Sequence, residues 1–256
     1  MITANFMTLA DGLAAFLWPF VRIGAFLVAA PLFSLDAVLL RVRILLALAL
    51  TFMIYNLLEA PEIDPLSLAG IGQILIQIYL GLMLGFILQI VTAAVALAGQ
   101  AIANSMGLGF ANLVDPAMGN IPVLSQFLVI LATFIFLAVG GHLLVISLLL
   151  ESFFLVPVGS VPEFQQWPGI LMNWLPMLFI AGLNLSLPLL VSILLVNIGL
   201  GIVTRSAPAL NIISVGFPAI LLAGLILLNF ALPGMMQAIE RLWLQSYDVM
   251  RILLEA

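Results

Sequence analysis

Few side chains in this sequence could do chemistry, and each stands apart from the partners that chemistry would need. Asp115 is the only acid in the stretch GLGFANLVDPAMGNIP, Gly107 to Pro122. A carboxylate there could serve as a general acid or base, but Asp115-Pro116 is read most simply as a turn. His142 is the only histidine. It can titrate or pack as a structural residue, and with no cysteine in the chain and no acid beside it, it cannot assemble a metal site. Four amides, Gln73, Gln77, Gln89 and Gln100, recur at roughly helical spacing in an uncharged block. They fit either hydrogen bonds between packed helices or a polar pathway or subunit interface. Arg22 lies inside an apolar segment, where it is either shielded within a helix bundle or in contact with a polar interior or a partner subunit. Phosphate loops, dinucleotide fingerprints and HExxH are not present, and no nucleophile is matched to a base and an oxyanion donor, so catalysis is the weakest reading. No cofactor is expected.

The elements that hold these residues are apolar. Of the 256 residues, 65% are hydrophobic and only 7% charged, with mean hydropathy +1.37. Soluble domains carry roughly 25% charged residues, so this chain cannot coat a globule with polar surface. It is read as an all-α, polytopic integral membrane protein. The six basic residues are all arginine and the formal charge is −5, which excludes a basic nucleic-acid face. The amino terminus lacks a basic n-region, so insertion is expected to begin at the first apolar segment.

About six hydrophobic segments follow in order. Gly12–Phe33 contains Arg22, whose cost of about 3 kcal/mol at a helix centre is offset by some twenty apolar neighbours. Ile44–Leu58 comes after a connector carrying Arg41 and Arg43. Leu66–Met106 is too long for one ordinary span and, like Gly169–Val203, reads as a broken helix; its Gly81 and Gly85 would let a second helix approach closely. Val123–Leu150 is interrupted by Gly140-Gly141, which permits a bend or close packing there. In Gly169–Val203, Pro176 and Pro188 should kink the chain, while Asn184, Ser186, Ser192 and Asn197 can satisfy backbone groups or neighbouring helices. Ile212–Leu232 contains Pro218 and is expected to stop at Pro233-Gly234. The tail then forms a separate amphipathic helix lying on a membrane surface or a partner, with Arg251 and Glu255 as an i,i+4 pair. Arg41, Arg43 and Arg205 on one side and the acidic Glu59–Asp64 loop on the other put both termini outside.

The Gly107–Pro122 stretch is broken by Gly107, Gly109, Gly119, Pro116 and Pro122, yet Leu108 and Phe110 make it greasy. Such a loop either lies on a membrane interface or needs burial against protein or a place lining a pore.

Three stretches together resemble the FliR family, the R subunit of the flagellar export gate, with T-subunit relatives in type III secretion injectisomes. They are RIGAFLVAAPLF with RVRILLALAL; GLMLGFILQ through AGQAIANSMGLGFANLVDPAMGNIPVLSQF to FLAVGGHLLVISLLLESFFLVPVG; and NIGLGIVTRSAPALNIISVGFP. Ala209 and Ile213 depart from the family's usual glutamine and aromatic. The resemblance implies a single R subunit that joins P- and Q-type subunits, with B- and A-type export proteins nearby, in the bacterial inner membrane. Residues 1–160 would be P-like, and residues 161–256 a Q-like hairpin and tail. The family gate rises largely out of the bilayer after assembly. The loop Gly107, Leu108, Gly109, Phe110, Asn112, Asp115, Pro116, Gly119 and Pro122 would plug its pore against unfolded export substrates. Arg22, Arg41, Arg43, Gln89, Gln100, His142, Asn197, Arg205, Pro208 and Pro218 are candidate packing or subunit contacts. The competing reading is a stand-alone secondary transporter with a midplane solute site at the breaks of Gly140-Gly141 and Pro188.

Overall fold

The computed structural model describes residues 2–31, 39–58, 63–108, 123–160, 165–206 and 216–256. Among these residues there is no strand, and eight α-helices follow in order. They are α1 (Ile2–Ala29), α2 (Leu40–Ile54, continued by a 3-10 turn, Tyr55–Leu57), α3 (Leu68–Ser105), α4 (Val123–Ala138), α5 (Gly141–Leu155), α6 (Trp167–Trp174), α7 (Met177–Ser206) and α8 (Phe217–Glu255). The described parts of all six hydrophobic segments are thus mainly helical, and the fold is the all-α membrane type that the composition requires. Among the described residues, three runs are long and apolar enough to cross a bilayer: Leu68–Ser105, Trp167–Ser206 and Phe217–Glu255. The pair α4 and α5, bent by 67°, makes a fourth if counted as one span.

The breaks fall where backbone chemistry forces them. Gly140 sits at φ +76°, a left-handed conformation that glycine adopts without strain, and it starts α5 in a new direction. Pro176 follows the end of α6, so that segment divides there. Pro188, in contrast, stays inside a continuous α7. Ser186 and Ser192 donate their hydroxyls to the carbonyls of Leu183 (3.1 Å) and Pro188 (2.7 Å) of their own helix.

Two expectations need correction. Leu68–Ser105 is one uninterrupted helix, since a glycine costs a helix only about 1 kcal/mol against alanine and its ladder of hydrogen bonds survives. Pro233-Gly234 likewise does not stop α8, which runs on to Glu255. A proline in a helix removes one donor, leaving here the carbonyl of Asn229, and long flanking apolar turns outweigh that loss. The tail is therefore the end of α8. Its apolar face (Ile239, Trp243, Met250, Leu254) is buried within the chain instead of resting on a bilayer or partner. Its polar face is exposed and carries the Arg251–Glu255 pair at 2.9 Å.

The chain divides into two compact units, each assembled from separated segments. The first comprises residues 1–89, 140–175 and 245–256. Here Gly81 and Gly85 face α1 with nothing between the backbones. A methyl on Gly81 would fall on the Arg22 carbonyl oxygen, and one on Gly85 would lie 2.6 Å from the Ala29 Cβ. Trp174 donates its indole N–H to the Ile87 carbonyl (3.2 Å), and Trp167 stacks on Tyr79 with ring centres 5.8 Å apart.

The second unit comprises residues 90–139 and 176–244. Trp243 of α8 donates to the Ala132 carbonyl of α4 (3.1 Å) and meets Phe136 edge-on at 4.9 Å. Gly182 of α7 packs against Leu97 and the Ala94 carbonyl of α3.

Candidate functional site

Two constellations collect the polar side chains that the sequence singles out, one in each unit. In the first, Arg22 is fully buried. Its Nε–H donates to Gln77 Oε1 (2.7 Å), Nη1 to the Ser152 carbonyl (2.7 Å) and hydroxyl (3.1 Å), and Nη2 to the Val156 carbonyl (2.8 Å). The guanidinium carbon also lies 4.1 Å from the centre of the Phe153 ring. The Ser152 and Val156 acceptors are at the carboxyl end of α5, where the carbonyls carry partial negative charge; the Ser152 carbonyl also accepts the Val156 N–H (3.0 Å). Arg22 of α1 therefore caps α5 through planar, divergent donors while Gln77 of α3 orients it from the side. Gln73, one turn earlier, donates to the Ser160 carbonyl and accepts from the Gly159 N–H, both at 3.2 Å. Among the described residues no carboxylate takes part. This is a rigid polar node joining α1, α3, α5 and the chain after α5, shielded within the bundle as one of the two readings of Arg22 had it.

The second constellation is the root of the Gly107–Pro122 loop. Helix α3 ends at Ser105, whose hydroxyl donates to the Ile102 carbonyl (2.7 Å). Gly107 then turns the chain at φ +80° and donates its N–H to the Asn104 carbonyl (3.1 Å). Below the turn, Ser125 of α4 donates to the Ala96 carbonyl of α3 (2.9 Å). Gly99 is so close to α4 that an added Cβ would lie 2.5 Å from the Ser125 Cα. The two arms that carry the loop are thereby pinned backbone to backbone. Beside this root lies a mainly apolar cavity of about 830 Å³, whose lining includes Asn104, Ser105, Gly107, Asn197, Thr204 and Phe217. The side-chain oxygen of Asn197 is buried there with no hydrogen-bond donor among the described residues, while Ser105 and Thr204 give their hydroxyls to their own helices.

The pin has a testable consequence. Gly99→Ala should lower stability by about 1–3 kcal/mol through overpacking against α4. The midpoint of thermal aggregation in detergent should fall accordingly. An unchanged midpoint would mean that the two arms are not in such contact.

Comparison with known proteins decides what kind of chain this is. Residues 13–246 match the model of bacterial export proteins, family 1. The chain is 37% identical over 251 residues to the flagellar biosynthetic protein FliR of Pectobacterium carotovorum subsp. carotovorum, covering 98% of this chain and 96% of the relative. It is 36% identical over 236 residues to FliR of Escherichia coli (strain K12), covering 92% and 90%. With FliR of Bacillus subtilis (strain 168) it shares 31% over 255 residues, covering 96% and 97%.

The chain belongs to the FliR family. The resemblance carried by the three sequence stretches is therefore correct, and this FliR-family chain is a membrane protein of the bacterial export type.

The structure distributes the family-implied site residues unevenly. Of the loop, Gly107 and Leu108 are described; Gly109, Phe110, Asn112, Asp115, Pro116, Gly119 and Pro122 lie outside the described residues, as does Pro208. Arg22 and Asn197 belong to the two constellations above. Arg41, Gln100, Arg205 and Pro218 are exposed, and Arg43 is half-buried on α2. Gln89 and His142 are half-buried, and the Gln89 Oε1 and His142 Nδ1 atoms are enclosed without a hydrogen-bond partner among the described residues. The cavity beside Asn197 includes neither Gly140 nor Pro188, the two breaks of the transporter reading. Sequence reasoning missed Ser152, Phe153 and Val156 as the far side of the Arg22 node. Nothing in their types marks them, because two of the acceptors are backbone carbonyls. A signal for Gln77 was present: Gln73, Gln77, Gly81 and Gly85 follow at intervals of four, which places amides and close-packing glycines on one face of α3.

Proposed function

We propose that this chain is a structural and gating subunit of the flagellar protein-export channel, working in the bacterial inner membrane. The observation that carries this reading is the family match over residues 13–246, which reaches from α1 into the tail of α8. In this reading it assembles with P- and Q-type subunits, and with B- and A-type export proteins beside them, to pass unfolded substrates. Residues 1–160 serve as the P-like part and 161–256 as the Q-like hairpin and tail. The exposed Arg41, Gln100, Arg205 and Pro218 are suited to contacts with those subunits.

Helix length supports assembly beyond a simple bilayer. At 1.5 Å per residue, the 38 residues of α3 extend about 57 Å, against a hydrocarbon core of about 30 Å. The surplus is apolar and uncharged, so it needs protein neighbours. The plug role falls to Gly107–Pro122. The pinned arms of α3 and α4 supply a firm base, and an apolar, glycine-broken loop can close a pore by excluding water and yield to a passing chain. Asn197 and the adjoining cavity lie at that base, where a displaced loop would find room.

Replacing residues 109–122 by a short glycine-serine linker tests the assignment. The assembled gate should become leaky, with a conductance at least tenfold above that of the unaltered assembly and impaired growth under ionic stress. Unaltered conductance in a complex that still forms would remove the plug role. If the purified chain alone transported a solute and bound no P- or Q-type subunit, the export reading itself would fail.

A further inference from the structure

Glu151 is the only charged residue in the helices α4 and α5, and its surroundings do not explain it. It lies near the carboxyl end of α5, where the helix dipole disfavours negative charge. Its side chain takes part in no hydrogen bond or ion pair among the described residues. The chain has no lysine, and all six of its arginines are among the described residues. Arg22, which reaches the same end of α5, is committed to Gln77, Ser152 and Val156. Among the described residues of its own unit, none of the four arginines, Arg22, Arg41, Arg43 and Arg251, forms an ion pair with Glu151.

The position of the residue on α5 is informative. At 3.6 residues per turn, Leu143, Leu144, Ser147, Phe154 and Leu155 fall on one arc of the helix, with Glu151 near its middle. These flanking residues are exposed, Leu143 at 64% and Phe154 at 63%, and Glu151 is half-buried among them. A face of this kind suits neither neighbouring solvent. Water would be poorly matched to four large apolar side chains, and acyl chains to an ionised carboxylate. A single ionisable residue within an apolar helix face is how helix pairs fix register and choose partners.

We infer that this face of α5 docks a partner helix that is apolar except for one lysine or arginine, which pairs with Glu151. The inference rests on the export-subunit reading, since that reading supplies neighbouring membrane subunits. The pairing would set the register of the two helices, and the leucines and Phe154 would provide the contact area.

The test uses the full chain in its native membrane. A benzoylphenylalanine photocrosslinker at Ser147 should yield a covalent adduct with another membrane protein. Glu151→Gln, nearly isosteric, should reduce that adduct about tenfold, and Glu151→Arg should abolish it. Glu255→Gln, at an exposed carboxylate on another helix, should leave the adduct unchanged. Suppressors that restore motility to Glu151→Arg should replace a basic residue by an acidic one in another subunit. The yield and thermal midpoint of the solubilised Glu151→Gln chain should match those of the parent, so that a lost adduct reports docking and not folding. A crosslink to lipid alone, or protein adducts unaffected by both substitutions, would overturn the inference. If the unaltered chain co-purified with no other membrane protein, the export-subunit reading would fall instead.

Discussion

Leucine in place of Gly81 should abolish swimming and remove most of the folded protein from the membrane. The residue sits where α3 touches the backbone of α1, and even a methyl there would fall on the Arg22 carbonyl oxygen. Gly85, one turn on, would place its methyl 2.6 Å from the Ala29 Cβ and 2.9 Å from the Ala30 nitrogen. Backbone atoms cannot move aside as a flexible side chain can, so α1 must retreat toward the ordinary separation of about 8–10 Å. The helix pair then loses its dispersion contacts, which matter most in a chain whose helices gain little from leaving lipid. Overpacking of this kind costs about 1–3 kcal/mol or more for one residue, and the leucine pair at 81 and 85 should exceed that. The measurement is membrane abundance together with the thermal midpoint of the solubilised chain. Gly24→Ala supplies the control: it lies on α1 with nothing within 4 Å of the added methyl, so it should be neutral or slightly stabilising. Equal effects of Gly81→Leu and Gly24→Ala would refute the close α1–α3 seam.

The second large effect concerns Arg22. Substitution by methionine keeps much of the apolar stem but removes the donors to Gln77, Ser152 and Val156. The Gln77 and Val156 oxygens lose these donors in a place that water does not reach, each costing roughly 1–3 kcal/mol if nothing replaces it, while the Ser152 carbonyl keeps the Val156 N–H and the Ser152 hydroxyl its bond to Leu149. Relief from burying a guanidinium returns part of this, so a net loss of about 2–4 kcal/mol is expected, enough to deplete the folded chain. Lysine should fail almost as badly. An ammonium keeps the charge but cannot present the flat fork that reaches a side-chain amide and two backbone carbonyls at once. Membrane abundance and swimming read the effect, and an Arg22→Lys chain as stable as the parent would show that charge alone holds the node. Because Gln77 and Gly81 lie one turn apart on α3, the Arg22→Met and Gly81→Leu losses should combine less than additively.

The same residues show how much could be read in advance. Gly81 and Gly85 announced close packing through spacing alone, and the bend was one of the two readings that Gly140-Gly141 allowed, because both depend on local backbone chemistry. The Arg251–Glu255 pair was legible for the same reason. Proline signals were less dependable. Pro176 marks a break, whereas Pro188 and Pro233 lie within helices, since the loss of one donor competes with the stability of many neighbouring turns. The tail misled for another reason. Amphipathic periodicity shows that one face must be covered, but not by what, and here the rest of the chain covers it.

By itself the sequence determined the environment, the helical class and, through its motifs, the family. Composition fixes the solvent a chain needs, and hydrogen-bond satisfaction in an apolar setting then leaves helices as the available form for segments of this length. Only the tertiary structure decided what Arg22 does. A lone arginine in an apolar segment is equally suited to a buried node or a partner surface until its acceptors are located. Those acceptors are a glutamine 55 positions away and carbonyls 130 and 134 positions away. Backbone carbonyls carry no residue identity, so no pattern in the sequence could have pointed to them. The surroundings of Glu151 were likewise hidden in the sequence. Its lack of an arginine partner within its own unit became visible only once the arginines of that unit had a place.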